Sequence, residues 1–73
     1  MFNVVITTYS TAEYRTAMQA IDSHPFEDVM MITKKENDDK TVISVGFIGS
    51  NTRNTEAHAY FVKHDLIAHV EPV

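Results

Sequence analysis

Four histidines, His24, His58, His64 and His69, are the side chains of this sequence best placed by type for proton transfer or metal binding. His58 and His64 are six residues apart. Two ligands on one helical face need an i, i+4 spacing, and no HExxH motif or His–carboxylate spacing is read here. Glu13 is explained by helix capping, and Asp38 and Asp39 by a turn. The adjacent pair Glu27-Asp28 would point to opposite faces of a strand, so no two-carboxylate acid–base site is expected. No GxSxG nucleophile elbow is present. The absence of cysteine removes thiolate chemistry, zinc fingers, iron–sulfur ligation and disulfides. The expectation is therefore no catalytic residue, no metal and no cofactor: a protein that is not an enzyme.

The stretch Gly46-Phe47-Ile48-Gly49-Ser50-Asn51-Thr52-Arg53 sets hydroxyls and an Arg ahead of a helix start, a place that can hold an anion. It has too few glycines for a P-loop and lacks its Lys, and a capped loop is the plainer reading.

The elements around these residues follow from periodicity. Phe2–Tyr9 is rich in β-branched and aromatic residues, with Phe2, Val4 and Ile6 on one face and Asn3, Val5, Thr7 and Tyr9 on the other. Ser10 with Glu13 forms a capping box, and Tyr14, Ala17, Met18 and Ile21 make a helical stripe. Pro25 disfavours helix at His24, so this helix should end near Ser23. Phe26–Lys34 is the second strand, and Lys35–Lys40 a solvated hairpin tip. Thr41–Ile48 is the third strand, with Ile43, Val45 and Phe47 facing one way and Val42, Ser44, Gly46 and Ile48 the other. Gly46 in a strand marks a bulge or a close approach. Glu56–His64 makes a short helix with Ala57, Tyr60, Phe61 and His64 broadly on one side. Leu66–Val73 is the last strand, with Pro72 at its end.

The order βαββαβ predicts an α+β, ferredoxin-like fold: one domain over residues 1–73, a four-stranded antiparallel sheet and two helices on one face. The expected core is Phe2, Val4, Ile6, Tyr14, Met18, Ile21, Ile43, Val45, Phe47, Phe61, Leu66 and Val70. One helical layer leaves the other sheet face open. Val5, Tyr9, Ile48, Ile67 and His69 fall on that face, together with either Met30 and Ile32 or Val29 and Met31, the first pair being preferred. A one-residue change of register would exchange the faces.

Composition sharpens this. A chain of 73 residues buries only about 60% of its unfolded surface and is marginal alone. No disulfide compensates, which leaves efficient packing or association. The net charge of -4 opposes phosphate binding, and the open face offers only Tyr9 for base stacking. An RRM-like nucleic-acid module is thus a minor alternative. No apolar run approaches a membrane span. Met1-Phe2-Asn3 lacks a basic signal-peptide start, so a complete cytoplasmic protein is expected.

The segment Ile67-Ala68-His69-Val70-Glu71-Pro72 resembles the end of subtilisin-type propeptides and related small protease inhibitors, which share the ferredoxin-like topology and a similar length. The resemblance implies a C-terminal segment that enters a protease cleft. It is confined to those residues, and the internal motifs do not match.

The residues themselves point to a small regulatory or inhibitory protein that binds another protein, either a second copy as a homodimer or a target enzyme. The size suits an accessory protein of a phage or mobile element. The expected partner-binding residues are Val5, Tyr9, Ile48, Arg53, Ile67 and His69, with the 35–40 hairpin at the rim.

Overall fold

The structure, a computed structural model, describes residues 1–23, 26, 28–48 and 54–72. The elements run β1 (Phe2–Thr8), α1 (Thr11–Asp22), β2 (Val29–Glu36), β3 (Thr41–Phe47), α2 (Asn54–Lys63) and β4 (Ile67–Pro72). The strands form one antiparallel sheet in the order β2-β3-β1-β4, which is the ferredoxin-like α+β fold.

The alternation in β1 and β3 sets the sheet faces. Phe2, Val4 and Ile6 pair with Phe47, Val45 and Ile43, and all six are buried beneath the helices. Phe2 and Phe47 stack with centroids 4.9 Å apart, and Phe26 meets Phe47 edge-on at 5.7 Å. Thr8 ends β1 buried, and its hydroxyl donates to the Thr41 carbonyl at 2.9 Å, so the buried oxygen is satisfied.

Helix α1 starts as its capping box requires. The Ser10 hydroxyl accepts from the Glu13 amide at 3.1 Å. The Glu13 carboxylate reaches back to the Tyr9 amide at 2.9 Å, one residue before the cap. Its far end, at Asp22, has no basic residue in the last turn. Instead the Tyr60 hydroxyl of α2 donates to the Ala20 carbonyl at 2.7 Å, satisfying one of the acceptors that a helix end leaves open.

Several boundaries differ from the sequence expectation. β2 begins at Val29 rather than Phe26, and extends to Glu36. Phe26 instead sits in the core against Phe47 and Tyr60. α2 runs two residues earlier at its start, from Asn54, and β4 begins at Ile67. Tyr14, Met18 and Val70 pack against the core only partly buried, while Ala17, Ala20 and Ala57 are fully in it. These small residues let the helices lie close to the sheet.

Candidate functional site

Pairing registers arrange the open face in three rows. Met31, Gly46, Asn3 and Glu71 form one; Thr33, Ser44, Val5 and His69 the next; Lys35, Val42, Thr7 and Ile67 the third. None of these side chains is Phe, Tyr or Trp, and the one ring among them, the His69 imidazole, stands alone at the β4 edge, so they do not form the multi-ring platform on which successive bases stack. The middle of the face is polar, and the exposed apolar side chains lie at its corners.

The expected partner-binding residues therefore fall in different places. Val5 is on the open face, but at 6% exposure it presents almost no surface, flanked on both sides by neighbouring strands. Ile67 and Ile48 are each 58% exposed. Ile67 shares a row with Val42, and Ile48 is six residues further along the chain from Val42, roughly 20 Å on an extended strand, so the two are not one patch. Tyr9 lies beyond the end of β1. His69 is exposed, and its Nε2 meets Glu71 Oε1 at 3.0 Å. This is a His–carboxylate pair that the sequence reading did not register. The signal was there, since residues two apart in a strand share a face. Arg53, with the rest of the 49–53 loop and its anion-binding reading, lies outside the described residues.

The second strand departs from both alternatives for its open face. Val29 pairs with Phe47 on the helix side, Met31 with Gly46 on the open side, and Ile32 with Val45 on the helix side again, with a register shift between Val29 and Met31. The extra residue, Met30, is a β-bulge, and it changes the face parity partway along the strand. Of the expected pair Met30 and Ile32, Ile32 is thus on the helix side. The bulge sits beside Gly46, where a Cβ would come within 3.2 Å of Asn3 Oδ1 and 3.5 Å of the Met31 carbonyl oxygen, the close approach that the glycine marked.

Both helices pack over β1, and α2 also over β4. β2, at the far edge of the sheet, is little covered: Tyr14 of α1 reaches Lys34, yet every residue from Met30 to Glu36 is exposed. Met30, Met31 and Ile32 are 49%, 58% and 44% exposed, although Ile32 points to the helix side. Ile48 adjoins them, its amide donating to the Asp28 carbonyl at 3.0 Å and extending the β2–β3 ladder by one step. Four large apolar side chains thus gather at one end of this edge. The other end is charged. Lys34 Nζ donates to Tyr14 Oη at 3.5 Å and pairs with Glu36 Oε1 at 3.4 Å. The Tyr14 hydroxyl, and then Glu36, raise this ammonium above its ordinary 10.5.

The opposite edge is partly occupied. His58 of α2 holds the Ala68 carbonyl of β4 through Nε2 at 2.8 Å, and Pro72 has no amide to donate. Ile67–Pro72, the residues that resemble protease-inhibitor tails, are the strand β4 itself, hydrogen-bonded to β1.

A shallow cleft of about 370 Å³ lies between the β1–α1 junction and the tip of the β2–β3 hairpin. Tyr9 and Tyr14 form one side, and Glu36, Asp38 and Asp39 the other. No cluster of metal-ligating side chains occurs among the described residues, and no described helix is long and apolar enough to cross a membrane.

Compared with known proteins, the chain matches no family model, no curated protein and no solved structure.

Proposed function

We propose that this protein acts by binding another protein in the cytoplasm and regulating or blocking it by occlusion, with the β2 side of the sheet as the docking surface. One observation carries the reading. The helical layer sits over β1 and β4, and leaves Met30, Met31 and Ile32 exposed on an unpaired edge with Ile48 beside them. Soluble domains seldom leave apolar groups clustered without a contact to make. Occlusion needs roughly 800 Å² per partner, about a sixth of the 4669 Å² that this chain exposes. The small size fits an accessory role of the kind that phages and mobile elements encode.

The test is affinity capture from the native host with the tagged native chain and with Met31→Glu and Ile48→Asp, each checked for folding by circular dichroism. A protein retained by the native chain and lost from both variants supports the reading. The same proteins retained by all three overturn it.

A further inference from the structure

Resting on that reading, we propose that the β2 edge takes an extended strand of the partner, with two adjacent acidic residues set against Lys34 and Lys35 and two apolar residues against Met31 and Ile32. Beyond the bulge, Met31–Glu36 keeps regular register with β3 on one side and, among the described residues, has no strand on the other. Six residues is an ordinary strand length, so this stretch suffices for strand addition, in which the backbone gives affinity and the side chains give selectivity.

The side chains along it form a gradient. Met31 and Ile32 are apolar; Lys34 and Lys35 are basic and lie on opposite faces. The chain as a whole is acidic at -4, yet Met31–Glu36 carries two lysines against one carboxylate, that of Glu36, which already pairs with Lys34 at 3.4 Å. Lys35 forms no ion pair among the described residues. Adjacent acidic residues on an added strand also point to opposite faces, so one would meet each lysine.

A second copy of this chain fits the edge poorly. A two-fold antiparallel pairing keeps the faces aligned only when it centres on a residue. Centred on Lys34 or Lys35, it sets lysine against lysine; centred on Ile32, it sets Lys34 against the bulged Met30; centred on Glu36, it runs past the end of the strand. Centred on Thr33, it sets Lys34 against Ile32 and Lys35 against Met31. Centred on Met31, it sets Thr33 against Val29, which the bulge has turned to the other face. Lysines and a bulge are common protections of an edge strand against its own kind. The same lysines leave an acidic strand favoured.

Two fluorescein-labelled peptides of sequence Thr-Glu-Glu-Thr-Val-Val-Thr and its reverse test this, since one suits antiparallel and the other parallel addition. A control carries Lys in place of Glu. One acidic peptide is expected to bind and to slow amide exchange within residues 31–36. Lys35→Glu should weaken it about tenfold, and added salt should weaken it further. No binding of either acidic peptide at about 1 mM, equal binding of the lysine control, or binding without protection of residues 31–36 overturns the proposal. A captured partner that is lost on Met31→Glu but docks through a non-acidic segment overturns it too, and leaves the broader protein-binding reading intact.

Discussion

Met31 stands directly across from Gly46 in the β2–β3 ladder, so no cross-strand side chain shields the methionine on that side. The glycine has no positive φ to require it. What it preserves is space beside the bulge, where Asn3 Oδ1 and the Met31 carbonyl close in. Gly46→Ala is expected to leave stability within about 1 kcal/mol of the native chain, because the strand gains order but the new methyl crowds Asn3. In an Asn3→Ala background the same change should stabilise by about 0.5–1 kcal/mol. Urea midpoints of the four chains check this; an identical effect in both backgrounds would contradict the contact.

Tyr60→Phe removes the hydroxyl that closes the end of α1 at Ala20, and should cost about 1 kcal/mol. Burial raises the Tyr60 phenol above its ordinary 10.0. The folded state then holds this proton after the unfolded chain has released it. Stability from this group is full below pH 10.0 and falls as pH rises from there through the raised folded value. Tyr60→Phe should show a shallower alkaline loss in urea titrations above pH 10.0 than the native chain.

Much of this fold is legible in the sequence. The clean alternation of Phe2–Ile6 and Ile43–Phe47 fixes two central strands and their faces, and Ser10 with Glu13 announces α1. β2 resists such reading because its run Val29-Met30-Met31-Ile32 is apolar throughout, and periodicity cannot show which residue is extra. The bulge at Met30 is set by the ladder with β3, a tertiary fact. For the same reason the apolar residues that alternation assigns to the open face do not make one patch. Val5 is covered by the strands on either side of it, and Ile48 and Ile67 stand at separate corners. His69 with Glu71 was readable, since a strand places such neighbours together.

Asp65 links α2 to β4 with φ of 61°, a left-handed conformation that suits glycine. Asp65→Gly should raise stability by up to about 1 kcal/mol, the relief of backbone strain being partly offset by the freedom that glycine adds to the unfolded chain. Asp65→Val should lower it. Thermal melts of the two variants rank them, and a native chain more stable than Asp65→Gly would contradict this assignment.

Ser10→Ala breaks the acceptor for the Glu13 amide and should cost about 1 kcal/mol. Ser10→Asp should keep most of that stability, since a carboxylate can accept the same bond and favours a helix N-terminus. Chemical denaturation of the pair tests it, and equal losses would show that the cap is not what holds this end.

The docking surface is tested most directly by amide hydrogen exchange of the native chain alone and with the partner that it captures. Slowed exchange confined to Met31–Glu36 and the adjoining end of β3 at Phe47 and Ile48, with α1 and α2 unchanged, is the predicted result. Protection of the helices or of β4, with β2 exchanging as in the free chain, would contradict the account.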